Sequence, residues 1–141
     1  MKRKCSADKR RYFMNSGSKG RKKRWYDIGL RYALNGLIES IKTERNMKVH
    51  ITATVIAIIL AFVLKLSVME WMILLLTIAM VIGMELVNTA LEHALDYVAP
   101  ERSSEIKIAK DIAASSVLLL SIVAFVVGLL LFLPKFIAFL T

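Results

Sequence analysis

Four polar side chains within one largely apolar segment are the strongest indication of chemistry in this sequence. They follow one another at steps of three and four residues: Glu85, Asn88, Glu92 and Asp96. On a helix that turns about 100° per residue they fall within an arc of about 80° and form one polar stripe. Helix capping could explain any single acid. Because charged groups at membrane depth are costly unless paired, hydrated or bound to an ion, the aligned set predicts a functional site.

A second polar cluster lies in the run ERNMKVH, ahead of the first long apolar segment. Charged residues at such a junction are common in membrane proteins, so the cluster carries little weight alone. Glu44 gains significance if it approaches the polar stripe from another helix. Carboxylates together with phosphate oxygens are the ligands that Mg²⁺ prefers.

Lys110 and Asp111 stand at the start of the last apolar segment. Phosphoryl transfer requires cationic groups on the phosphates, and Lys110 could supply one of them. The phosphate-binding motifs of soluble proteins, GxxxxGK[ST] and GxGxxG, do not occur. The nearest run, Gly17 to Gly20, lies in a basic segment with no preceding strand and is not a P-loop.

The elements that must position these residues are predicted to be membrane helices. The chain has 141 residues, and a hydrophobic content of 57% is too high for an ordinary soluble domain. Apolar residues at helical spacing predict an amphipathic helix at the membrane interface over residues 25–43. Three spans are predicted to follow it: 49–66, 69–98 and 112–133. Pro100 is expected to stop the second span and Pro134 the third.

Basic residues are concentrated at the N-terminus. The net charge of the whole chain is +9, and residues 1–24 hold 11 of its 20 Lys and Arg residues. This segment is predicted to be a disordered cytoplasmic tail that contacts anionic lipid headgroups, or one that only sets topology. It has no nucleic-acid-binding fold, so binding of DNA or RNA is not expected. The positive-inside rule places the tail and the loop at 99–111 in the cytoplasm and the C-terminus outside.

The sequence resembles the small integral-membrane diacylglycerol kinase family of bacteria, in particular its Gram-positive undecaprenol kinase branch. The matching strings occur in the family's order and spacing: ERNMKVH (44–50), EWMI (70–73), ELVNTALEHALD (85–96), IAKD (108–111) and GLLLFLPK (128–135). The resemblance covers about residues 25–135. It implies an all-α integral membrane fold, assembled as a domain-swapped homotrimer in the cell membrane, with active sites between subunits at the cytoplasmic surface.

The resemblance also implies roles for individual residues. Glu85 matches the proposed catalytic base, and Glu44 and Glu92 match carboxylates that hold a magnesium ion on ATP. The other positions expected around the nucleotide are Tyr32, Asn88, Glu101, Arg102, Ser103, Lys110 and Asp111. The positions expected at the lipid substrate are Glu85, Asn88 and Lys48.

The resemblance implies a lipid kinase that transfers the γ-phosphoryl group of ATP to a membrane lipid alcohol, and the residues fit this chemistry. The attacking hydroxyl must lose a proton, and Glu85, the deepest acid of the stripe, is suited to accept it. His50 matches the Gram-positive branch of the family, whereas the proteobacterial enzymes have an acid at this position. The resemblance therefore favours undecaprenol over diacylglycerol as the lipid substrate.

Two other functions are weaker interpretations of the same residues. A non-enzymatic scaffold or channel would need polar residues through the full depth of the membrane, yet the outer halves of the spans are apolar. A lipid phosphatase would need a histidine nucleophile. His93 flanks the polar stripe and is better interpreted as a residue at the edge of the site.

Overall fold

The computed structural model describes residues 25–99 and 103–140. In these ranges the backbone forms four helices: α1 (Trp25–Thr43), α2 (Arg45–Val63), α3 (Val68–Val98) and α4 (Ser104–Leu140). The predicted all-α fold is confirmed, and the described residues include no strand. As predicted, α2, α3 and α4 are long and apolar enough to cross a membrane. The basic tail, together with Glu101 and Arg102, lies outside the described residues.

The chain divides into two compact units, Met1–Ala33 and Leu34–Thr141. Within the first unit, the described residues 25–33 form the beginning of α1. The second unit holds the rest of α1 and the three membrane-crossing helices. All contacts described below belong to this second unit.

A single residue, Glu44, separates α1 from α2. Its backbone is extended, with φ −94° and ψ 126°, and its side chain makes no capping hydrogen bond to α2. The Glu44 amide still donates to the Ser40 carbonyl at 2.9 Å, so the helical hydrogen bonding is barely interrupted. The Glu44 carboxylate is therefore left available for partners on other helices.

The turn after α2 is a Schellman motif. The Leu66 amide donates to the Ala61 carbonyl at 3.1 Å, and the Lys65 amide donates to the Phe62 carbonyl at 3.2 Å. Lys65 has φ 50°, a left-handed conformation more usual for glycine. This turn ends α2 at Val63, before the predicted end at residue 66.

α3 begins with a capping box formed by Ser67 and Glu70. The Ser67 amide donates to the Glu70 carboxylate at 2.6 Å, and the Glu70 amide donates to Ser67 Oγ at 3.4 Å. The same carboxylate pairs with Lys135 Nζ of α4 at 3.0 Å. One acidic side chain therefore fixes the start of α3 and joins it to the end of α4.

Ser67→Ala is expected to lower the free energy of unfolding by about 1 kcal/mol, because the Glu70 amide loses its side-chain acceptor. Thermal unfolding in detergent micelles would measure the change. Ser115→Ala is the matched control, since Ser115 Oγ only donates to the Ile112 carbonyl within its own helix. An equal effect in both variants would show that the cap contributes nothing specific.

The described core is small and lies near the capped end of α3. Its buried residues come from α2, the following turn, α3 and α4: Ala61, Leu66, Leu74 and Leu131. Trp71 packs against this cluster, with its ring edge-on to Phe62 and the ring centroids 4.8 Å apart. Large apolar side chains elsewhere on α2, α3 and α4 are mostly exposed. Such surfaces suit contact with lipid or with another chain rather than with water.

The last helix differs from the prediction at both ends. It begins at Ser104, ahead of the predicted start at residue 112, because Ser103 Oγ accepts from the Ile106 amide at 3.2 Å and caps it. The same helix continues through Pro134 to Leu140, so Pro134 does not break the helix as the sequence predicted. Proline removes only one helical hydrogen bond, and membrane helices tolerate that loss better than an unpaired stretch of backbone.

Candidate active site

The polar stripe of α3 has its deepest members inside the protein. Glu85 is 2% exposed and Asn88 is 5% exposed, and they are the buried polar residues of that helix. Asn88 Nδ2 donates to Glu92 Oε1 at 3.1 Å, one turn further along. This bond orients the Asn88 amide and one oxygen of Glu92. Glu85 Oε2 and Asn88 Oδ1 remain buried without a hydrogen-bond partner in the described part of the chain.

Glu44 approaches the stripe from the junction between α1 and α2. Its Oε1 lies 3.4 Å from Nε2 of His93, the residue that follows Glu92 on α3. Carboxylates from two separate elements thus converge at the same part of α3.

The end of α3 and the start of α4 meet through an ion pair. Lys110 Nζ lies 2.5 Å from Asp96 Oδ1. This pair joins the last member of the polar stripe to the lysine expected at the phosphates. Asp111, the next residue, is exposed.

The remaining predicted site residues have more varied surroundings. Tyr32 lies on α1 and is 56% exposed. Lys48, on the first turn of α2, is also exposed, and Ser103 caps α4. The side chains of Lys48 and Asp111 form no hydrogen bond or ion pair with any other residue that the structure describes.

A divalent cation fits this site only in combination with other oxygen ligands. Within residues 25–99 and 103–140, no group of three or more His, Cys, Asp or Glu side chains is arranged to hold a metal. Glu44 and Glu92 offer two carboxylates, and only one Glu92 oxygen is bonded to Asn88. Two carboxylates plus substrate phosphates is the usual ligand set for Mg²⁺.

Two contacts of the site were not predicted from the sequence. His93 was expected at the edge of the stripe, but its contact with Glu44 was not foreseen. Asp96 was recognised as part of the stripe but not as the partner of Lys110. The sequence offered a weak signal for the pair of Asp96 and Lys110, because a carboxylate lies near the end of one helix and a lysine near the start of the next.

Comparisons with known proteins agree on the type of protein. The sequence profile of the family described as prokaryotic diacylglycerol kinase matches residues 31–132. The undecaprenol kinase of Bacillus subtilis is 39% identical over 104 residues, which cover 74% of this chain and 85% of that protein. The diacylglycerol kinase of Synechocystis sp. is 40% identical over 108 residues, which cover 76% of this chain and 62% of that protein.

Proposed function

Since the chain belongs to the prokaryotic diacylglycerol kinase family and is an ATP-dependent lipid kinase of the membrane, we propose that its acceptor is undecaprenol. At nearly equal identity, the match extends over 85% of the undecaprenol kinase but only 62% of the diacylglycerol kinase. His50, which the resemblance associates with the Gram-positive branch, supports the same acceptor. The product would be undecaprenyl phosphate.

The proposed chemistry is carried by the burial of Glu85 with one oxygen unpartnered. The hydroxyl oxygen of the lipid attacks the γ-phosphorus of ATP, and Glu85 accepts the hydroxyl proton. The bond between the γ-phosphorus and the bridging oxygen breaks, and ADP leaves with that oxygen. A carboxylate placed at the acceptor hydroxyl is the usual requirement for such a transfer.

The nucleotide is proposed to lie on the cytoplasmic side of Glu85. Glu44 and Glu92 would hold Mg²⁺, which neutralises charge on the phosphate oxygens. Asn88 orients Glu92 through the hydrogen bond between their side chains. The other residues proposed to contact ATP are Tyr32, Glu101, Arg102, Ser103, Lys110 and Asp111. Lys48 is proposed to lie at the lipid substrate.

The working form is proposed to be a homotrimer in the cell membrane, with the N-terminus in the cytoplasm. A Cβ atom built on Gly83 or Gly128 would meet no atom of the described residues within 4 Å. The surfaces of α3 around Gly83 and of α4 around Gly128 therefore leave room for close approach by helices of neighbouring subunits. The basic tail would bind anionic lipid headgroups at the same cytoplasmic surface.

The acceptor is tested by giving purified protein magnesium, γ-labelled ATP and an equal amount of undecaprenol or diacylglycerol in mixed micelles. We expect label in undecaprenyl phosphate at a rate at least about tenfold above that in phosphatidic acid, a difference of about 1.4 kcal/mol in the transition state. The measurement is the initial rate of label in each extracted lipid. A preference for diacylglycerol would refute the proposed acceptor but not the kinase activity.

A further inference from the structure

Three neighbouring polar side chains of α3 each have a buried atom without a partner among the residues that the structure describes. The atoms are Glu85 Oε2, Asn88 Oδ1 and Thr89 Oγ1. On the helix, Thr89 lies about 40° from Glu85, on the side away from Asn88, so all three belong to one face. Buried polar atoms in native proteins nearly always have partners. A ligand that offers both donors and acceptors would satisfy this face.

Thr89 differs from most other hydroxyl residues of the described helices. The hydroxyls of six residues donate to a carbonyl three or four residues earlier in their own helix: Thr43, Thr52, Thr77, Ser115, Ser116 and Ser121. Thr89 also lies within a helix, where such carbonyls precede it, yet its buried hydroxyl forms no hydrogen bond of this kind. Its proton therefore has no acceptor among the described residues.

The position of Thr89 along α3 indicates which part of a ligand it would meet. It lies one turn, about 6 Å, from Glu85 and about 4.5 Å before Glu92. In the proposed function Glu85 binds the lipid hydroxyl and Glu92 helps to hold the nucleotide. The γ-phosphoryl group would therefore lie between Glu85 and Glu92 while it is transferred.

We infer that the Thr89 hydroxyl donates a hydrogen bond to a non-bridging oxygen of the γ-phosphoryl group. Glu85 Oε2 and Asn88 Oδ1 can only accept while the Glu85 carboxyl is ionised, so Thr89 is the donor among the three unpartnered atoms. The phosphoryl oxygens carry the charge of the transition state, and a fixed donor there would accelerate transfer. This inference rests on the proposed function.

Thr89→Val removes the hydroxyl while keeping a similar shape. With undecaprenol and magnesium ATP, we expect kcat to fall about 10- to 100-fold, no more than the loss of one oxyanion-hole donor. Affinity for the non-hydrolysable β,γ-imido analogue of ATP should weaken, whereas affinity for ADP should not change. The unfolding midpoint should not fall, because the variant buries no unpartnered hydroxyl at this position.

Two matched variants separate the hydroxyl from side-chain packing. Thr89→Ser keeps the hydroxyl and should retain kcat within about threefold, a difference of about 0.6 kcal/mol. Thr77→Val removes a hydroxyl from the same helix that donates to the Ile73 carbonyl at 2.8 Å, and should leave kcat unchanged. Should the valine variant fold poorly, Thr89→Ala removes the same hydroxyl without adding a branch.

The inference is overturned if Thr89→Val and Thr89→Ala keep wild-type kcat, weaken ADP and analogue binding equally, or alter only the KM for the lipid. In each case wild-type transfer to lipid would leave the proposed function intact. Absence of transfer by the wild-type protein would instead refute the proposed function, and this inference with it.

Discussion

Glu85→Gln is expected to lower the rate of label transfer to undecaprenol by about 10²- to 10⁴-fold, the range for loss of a general base. The substitution keeps the size of the side chain but removes the group that would take the hydroxyl proton. Glu85 is 2% exposed, so water has little access to replace it. The rate is measured with purified protein under saturating ATP, magnesium and lipid.

The matched control for Glu85→Gln is Glu39→Gln, which removes the same charge from an exposed position on α1. It should retain wild-type activity. Binding of the β,γ-imido analogue should persist in Glu85→Gln, which would show that the site is still assembled. Transfer by Glu85→Gln at the wild-type rate would eliminate Glu85 as the base.

Glu92→Gln is expected to reduce kcat/KM for ATP by about 100-fold and to raise the magnesium concentration needed for half-maximal rate. The amide oxygen of glutamine can still accept from Asn88 Nδ2, so the hydrogen bond seen at 3.1 Å is retained. What is lost is one of two carboxylate charges that would hold the cation, and magnesium affinity depends on such charges. The fall in kcat/KM should equal or exceed the fall that follows replacement of a residue that only orients a metal ligand.

Magnesium titrations of wild type, Glu92→Gln and Glu105→Gln would measure this effect. Glu105 is an exposed carboxylate in the first turn of α4 and serves as the control for charge. We expect the magnesium requirement to shift in Glu92→Gln alone. An unchanged requirement in that variant would remove Glu92 from the metal site.

The parts of the fold that could be predicted from sequence are those governed by helical period and by hydrocarbon thickness. The amphipathic period predicted α1 over 25–43, and α1 is Trp25–Thr43 in the structure. The polar stripe was predicted because Glu85, Asn88 and Glu92 share a helix face whatever surrounds them. The burial of Glu85 and Asn88 agrees with the reasoning that intramembrane polar groups face the protein interior.

The parts that sequence could not supply depend on contacts between helices or on tolerance of local strain. The contact between His93 and Glu44 joins residues 49 positions apart, and no periodicity indicates such a pair. Lys65 adopts a left-handed conformation without being glycine, so the turn at 64–67 gave no sequence signal. Pro134 is an ordinary helix breaker in water, but α4 continues through it.

The two ion pairs between α3 and α4 together set the vertical register of these helices. Glu70 pairs with Lys135 at one end and Asp96 with Lys110 at the other, and their α3 members are about 39 Å apart along the axis. Leu74 of α3 and Leu131 of α4 are buried in the core between these pairs, so side-chain packing also holds the two helices in register. A shift of one turn, about 5.4 Å, would break both pairs at once. The position of Lys110 beside the polar stripe is thus held partly by a contact at the far end of α3, about 39 Å away.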